Sequence, residues 1–356
     1  VRRPFLGHID HHSGHVRVIA MSNERFPTRG TRMTNVETMH GPLSTDKLGM
    51  TLMHEHIFVK NPELEHNFPA PEWDEEGMLA AARQGMQSLA DRGISTLVDL
   101  TVMGLGRSIE RIKRVAEGSP VNILVATGYY TQRDLPSYFH NHGPERLAGG
   151  TEPLVEMFVR DIREGIAGTG IKAAMIKVVT DKWGITPDVE SVLEAAVLAH
   201  LETGTPITTH TNAEHRGGLE QQEYFRQRGV DLQHVVIGHC GDSTDIDYLR
   251  QLMDAGSSLG LDRFGMDIMA TEEDRIATVV RLCELGYSSQ LTLSHDASFF
   301  SVNLEPSVRD RIMPNWHHRY ISDGVLPELL RRGVSDKDIH QIMVLNPARI
   351  LAGRAS

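Results

Sequence analysis

The stretch TLMHEHIFV, Thr51–Val59, sets two histidines two residues apart in an otherwise apolar run, with only Glu55 between them. In a strand successive side chains alternate faces, so His54 and His56 share one face and Glu55 takes the other. In a helix the two imidazoles would diverge by about 200° around the axis and could not readily share a ligand. The spacing also differs from the zinc-protease helix motif, which has two more residues between its histidines. An HxH pair on a strand serves hydrogen-bonded core histidines as readily as ligands. Its meaning depends on what other segments bring to the same place.

The pattern around this stretch recurs along the chain. Short β-branched runs alternate with long amphipathic ones: TLMHEHI (51–57), STLVDLTV (95–102), VNILVATG (121–128), AAMIKVVT (173–180), TPITTHT (205–211), HVVIGHC (234–240), SSLGLDR (257–263) and SQLTLSHD (289–296). Helical candidates between them include 73–93, 153–170, 187–204, 217–229 and 272–286, several ending in the glycine that a helix C-cap prefers. Strands that alternate with helices over short links form a parallel sheet with crossover helices. Eight units over roughly 300 residues predict an α/β fold, a closed (β/α)8 TIM barrel in a single domain. The segment GLGRS (104–108) lacks the GxGxxG fingerprint, so no dinucleotide site is expected there.

Composition bounds the function. The 356 residues are 40% hydrophobic and 23% charged, which suits an enzyme-sized globular chain with ample core. A formal net charge of -11 argues against a nucleic-acid partner, which would need a basic face. Two cysteines, Cys240 and Cys283, give no disulfide framework and no CxxC metal site; they are compatible with a reducing compartment, and a cytoplasmic location is expected. No apolar run of about 18 residues and no signal-peptide core occur, so neither a membrane span nor export is indicated. Residues 1–33, rich in Arg, Gly and histidines (His8, His11, His12, His15), lack periodicity and are expected to be a poorly ordered leader. The barrel is expected over 34–356.

On that frame the polar residues fall together. His54 and His56 lie at the end of strand 1, Lys177 late in strand 4, His210 at the end of strand 5, His239 of strand 6 and Asp296 of strand 8. Barrel enzymes build their sites at this C-terminal rim. Imidazoles with a carboxylate suit zinc and other divalent first-row metals. Four histidines and an aspartate exceed what one catalytic metal takes, so two ions are expected at a binuclear site. An ammonium beside two dications is unacceptable; burial and the ions should leave Lys177 as a neutral amine. Such an amine can add CO2 to become a carbamate, whose two oxygens can bridge two metals. Ser294-His295-Asp296 spells a hydrolase triad only superficially, because adjacent strand residues point to opposite faces.

The motifs GMTLMHEHIFV (49–59), DLTVMGLGR (99–107), ATGYY (126–130), IKVVTDKWGITP (176–187), THTNAEHRGGLEQQ (209–222), GLDRFGMD (260–267) and LSHDASFF (293–300) resemble the phosphotriesterase family of the amidohydrolase superfamily, and within it the phosphotriesterase-like lactonases. The likeness runs over roughly residues 40 to 352. It implies that His54, His56 and Asp296 hold one metal, that His210 and His239 hold the other, and that carboxylated Lys177 and a water or hydroxide bridge them. It implies substrate contacts from Tyr130 and Arg263. A second aromatic often found two positions past that tyrosine is Gln132 here, a departure that bears on how tightly a lactone ring is enclosed. Homodimers are frequent in the family.

The function implied is a binuclear hydrolase that opens the ring of N-acyl-homoserine lactones and so quenches quorum sensing, with adventitious phosphotriesterase activity. Zinc is the first expectation, with cobalt, iron or manganese as alternatives. Asp296 is expected to take the attacking hydroxide's proton and pass it to the leaving alkoxide. Phe299, Phe300 and Trp316 either wall an apolar channel for the acyl tail or form the core of their loop. The alternatives are an organophosphate triesterase, a hydrolase of other lactones or carboxylic esters, and a metal-binding scaffold without turnover.

Overall fold

Every one of the eight β-branched runs becomes a strand: β1 Met50–Glu55, β2 Ile94–Asp99, β3 Asn122–Gly128, β4 Met175–Val179, β5 Ile207–His210, β6 Val235–Ile237, β7 Ser258–Leu261 and β8 Leu291–Leu293. A computed structural model describes residues 34–353, so the leader expected over 1–33 lies outside the described residues. The strands pair in parallel, each with its neighbour in sequence, to form a nearly closed barrel. Helices α1 Glu75–Ala90, α2 Ile109–Ala116, α3 Pro153–Arg163, α4 Pro187–Thr203, α5 Gly217–Gln227, α6 Ile246–Asp254 and α7 Glu272–Glu284 follow β1 to β7 in turn.

Local chemistry sets the helix limits. Asp74, Thr186 and Thr271 each accept a first-turn N–H at the start of α1, α4 and α7. Pro187 occupies the first turn of α4, and Gly204 ends that helix with φ 76°. Alternation along the strands then sorts the apolar side chains. Leu97, Ile123, Ile176 and Val235 pack in the large core shared with the helices. Their neighbours Val98, Leu124, Met175 and Val236 belong to a separate cluster, which period-two alternation places inside the barrel. Lys177, two residues beyond Met175, therefore points inward. On β1 a register shift between Leu52 and Glu55 interrupts the alternation, so Met53 and His54 both face the interior.

The first and last strands meet without a regular ladder. Asp296 N–H donates to the His54 carbonyl at 3.1 Å and His56 N–H to the Ala297 carbonyl at 2.8 Å. The Ser294 hydroxyl accepts His54 N–H at 2.9 Å. The Glu55 carboxylate, on the face opposite the two histidines, accepts the His295 backbone N–H at 2.9 Å, His295 Nδ1–H at 2.6 Å and Ala297 N–H at 3.1 Å. Above this seam Phe58–Val59 pairs in parallel with Phe300–Ser301.

All eight strands are shorter than their sequence runs, and β6 and β8 are cut back most. β6 stops before His239 and β8 before Asp296, because these residues take φ 57° and 53° and turn the chain out of the ladder. Among the described residues no helix is long and apolar enough to cross a membrane.

Gly128 ends β3 with φ 141°, and a Cβ there would overlap the Lys177 carbonyl. Since that neighbour is backbone, it cannot rotate away. Gly128→Ala should lose more than about 2 kcal/mol of unfolding free energy, read as a lower denaturation midpoint. An unchanged midpoint would show that the two strands can separate.

Candidate metal centre

The six residues picked out on the rim converge. His54, His56, Lys177, His210 and His239 are buried, and Asp296 is nearly so. Asp296 Oδ1 lies 3.1 Å from His56 Nε2 and 3.4 Å from His54 Nε2. Lys177 Nζ lies 3.0 Å from His54 Nε2, and His239 Nε2 lies 2.8 Å from His210 Nδ1. The donor atoms of His54, His239 and Asp296 all fall within 4.8 Å of one another, so the closest group spans both ligand sets that the resemblance implies.

The outer nitrogens of the imidazoles are held by oxygen acceptors. Asp262 accepts from His54 Nδ1 at 2.9 Å and from His239 Nδ1 at 2.7 Å. Thr101 Oγ1 lies 2.8 Å from His56 Nδ1, and Asp181 Oδ2 accepts from His210 Nε2 at 3.3 Å. With the imidazole protons on these outer nitrogens, the remaining nitrogens turn lone pairs inward. The nitrogens of His210 and His239 then face each other lone pair to lone pair, an arrangement that a cation relieves and a proton-free contact does not. Burial lowers the His210 imidazole to about 4 and pulls His54 and His239 below their usual range, so all three are neutral near pH 7, the form that ligates. Burial also lowers the Lys177 amine to about 8, against the opposing pull of Asp296 and Asp262. This donor set of neutral imidazoles and a carboxylate fits divalent metal ions.

Arg263 and Tyr130 border the centre. Arg263 donates through Nε to Asp296 Oδ2 at 3.1 Å and through Nη1 to Asp242 Oδ2 at 2.7 Å. The Tyr130 ring stands edge-on to His210 with centroids 5.7 Å apart, and its hydroxyl accepts from Gln132 at 3.3 Å. Gln132, where the resemblance leads one to expect an aromatic, thus props the tyrosine. The cleft over these groups measures about 160 Å³, and Val59, Leu105, Met266, Leu304 and Trp316 supply its apolar walls.

Of the three aromatics after β8, only Trp316 lines the cleft. Phe300 is buried against Trp73, and Phe299 stacks on His318 with centroids 4.3 Å apart, so both are core residues of their loop. The apparent Ser294-His295-Asp296 triad is dispersed: Ser294 serves the seam, His295 pairs with Glu55, and Asp296 alone reaches the centre. Sequence reasoning missed Asp262, Asp181, Asp242 and Thr101. Asp262 and Asp181 did carry a signal, since each follows a strand shortly after or before a chosen residue.

Fold and donor set together define a (β/α)8 hydrolase with a rim suited to metal ions. The chain belongs to the phosphotriesterase family, whose model it matches over residues 34–351. It is 36% identical to an aryldialkylphosphatase from Saccharolobus solfataricus over 87% of this chain and 97% of that one. The solved phosphotriesterase from Mycobacterium tuberculosis superposes with a TM-score of 0.87 at 49% identity, covering 89% of this chain and 98% of the other. A structure described as molecular engineering of organophosphate hydrolysis activity from a weak promiscuous lactonase template gives a TM-score of 0.80 at 32% identity, over 89% and 99% of the two chains.

If Arg263 and Tyr130 serve the substrate and do not ligate, Arg263→Ala and Tyr130→Phe should each keep the wild-type metal content by elemental analysis. Hydrolytic turnover should fall at least about tenfold, or about 1.4 kcal/mol in the transition state. Loss of metal from either variant would show that the residue belongs to the ligand shell.

Proposed function

We propose that this hydrolase opens the lactone ring of N-acyl-homoserine lactones, and that phosphotriesters are secondary substrates. His54, His56 and Asp296 would hold one divalent ion, His210 and His239 the other, with Lys177 between them. Burial lowers the Lys177 amine to about 8 and so raises the neutral fraction that could add CO2. Addition of CO2 would form an N–C bond, open one C=O π bond and release one proton, giving a carbamate whose anionic oxygens could serve as ligands. Bound divalent ions supply Lewis acidity and lower the pKa of a shared water.

The rest falls to the chain's own groups. Asp296 is an ionised acceptor: against the burial that pushes its carboxyl up, positive charge around it, with Arg263 donating to Oδ2, holds it well below the usual range. It can take the proton of the attacking water and hand it to the alkoxide as the ring opens. Arg263 keeps that carboxylate oriented, and the Tyr130 hydroxyl on the cleft wall would donate to a substrate oxygen. The apolar walls exclude water and give the acyl chain a way out.

The observation that carries the lactone reading is the small volume of the cleft. At about 160 Å³ it is small beside pockets for drug-sized ligands, roughly 300 Å³ and more. One ring with a single tail suits it better than the three ester arms of a triester. The likeness to the aryldialkylphosphatase favours the second reading, organophosphate hydrolysis.

A kinetic panel separates the two. N-acyl-homoserine lactones of graded chain length should exceed simple lactones and a phosphotriester in kcat/KM. A triester preferred by more than about tenfold, about 1.4 kcal/mol, would reverse the order.

Lys177→Ala tests the bridge. The variant should fold, bind zinc poorly and lose most activity, and a short carboxylic acid with excess metal should restore part of both. Rescue by amines alone, with metal retained, would make Lys177 a general base instead.

A further inference from the structure

The inward nitrogens of the histidines serve the proposed reaction; the outward nitrogens of two of them meet on one carboxylate that the reaction leaves idle. Asp262 is wholly buried and gives each of its oxygens to a different imidazole, Oδ2 to His54 Nδ1 at 2.9 Å and Oδ1 to His239 Nδ1 at 2.7 Å. Oδ2 also accepts the backbone N–H of His239 at 3.2 Å. From α7 the buried guanidinium of Arg275 donates to the Asp262 carbonyl at 3.1 Å and pins its backbone. A Cβ on Gly260 would stand 3.1 Å from Oδ2, so the carboxylate is packed as well as bonded. His56 and His210 have separate supports in Thr101 and Asp181.

We infer that Asp262 is a positioning residue common to both metal positions, so that occupancy of the two ions depends on one carboxylate. The inference rests on the ligand assignment proposed above, in which His54 and His239 serve different ions. A carboxylate has no proton to give, so both imidazoles must bring theirs to it at Nδ1. Both Nε2 lone pairs are thereby turned to the centre before any ion arrives. Removal of a ligating histidine's partner of this kind typically weakens metal binding by about 10- to 100-fold. Here one removal acts on a ligand of each ion. Thr101, by contrast, supports a ligand of one ion only.

Zn2+ titration of the metal-free full chain, followed by calorimetry and elemental analysis, tests this. Wild type should bind two ions. Asp262→Ala should weaken both binding steps by at least about tenfold, whereas Thr101→Val should weaken one. A folded Asp262→Ala protein that weakens only one step, or neither, overturns the inference. Failure of the wild type to bind two ions would instead refute the ligand assignment. Should Asp262→Ala not fold, 1H–15N correlation of the imidazoles in metal-free wild type decides. Both His54 and His239 must appear as Nδ1–H tautomers, and an Nε2–H tautomer at either one overturns the proposal.

Discussion

The seam where β1 meets β8 is the constraint on which the centre depends. Here residues 240 positions apart in the chain are held at hydrogen-bonding distance, His295 on Glu55 and Asp296 on His56. The seam lacks a regular ladder, so side chains complete the closure: Ser294 accepts the His54 N–H, and three N–H donors converge on Glu55. The alternation that sends His54 and His56 inward sends Glu55 outward to this clasp. One tripeptide thus holds the barrel shut and presents two candidate ligands on its other face. Closure and site assembly are the same event, since Asp296 reaches the imidazoles only when β8 is seated against β1.

The centre also concentrates buried charge. Asp262, Asp296, Asp242 and Arg263 at the ends of β6 to β8 form a connected set with Arg275 of α7, with Arg275 on Asp242 at 2.7 Å and Arg263 on Asp242 at 2.7 Å. Burial of such pairs is often no more stabilising than an apolar packing of the same volume, while loss of one partner leaves an unpaired charge. Stability therefore gives little reason for the network. What it provides is orientation: both Asp262 oxygens meet an imidazole Nδ1, and Arg263 holds Asp296 Oδ2 and Asp242 Oδ2.

Most of the fold was legible because the barrel is written in hydrophobic periodicity, and eight strand runs with helical stretches between them leave few other arrangements. The candidate ligands were legible because four histidines, a lysine and an aspartate fall at the same end of five predicted strands. The supporting residues were not. Asp262 and Asp181 look like ordinary strand-end or turn carboxylates, and only three-dimensional proximity shows which imidazole each one serves. The bulge in β1 was hidden as well, since no residue type marks it, although it places Met53 and His54 on the same side. Phe299 and Phe300 were ambiguous for a related reason: an aromatic in a long loop can face the cleft or the core, and the packing of Trp73 and His318 decides.

Three residues of the centre, His239, Arg263 and Asp296, adopt left-handed backbone conformations, with φ of 57°, 69° and 53°. For side chains other than glycine, such conformations cost on the order of 1–3 kcal/mol each. Glycine would relieve the strain at every one of these positions, yet none of the three is glycine. The reason lies in the direction in which a strand releases its side chain. A residue leaving β6, β7 or β8 in extended form would continue its alternation and point along the wall. The left-handed turn swings it over the mouth of the barrel, where His239 meets His210 and Arg263 meets Asp296. Neighbouring bonds hold each turn: His239 N–H on Asp262, Met266 N–H on the Arg263 carbonyl, and Asp296 N–H on the His54 carbonyl. The strain is thus placed where three strand ends must bend towards one point, and the surrounding hydrogen bonds keep it from relaxing.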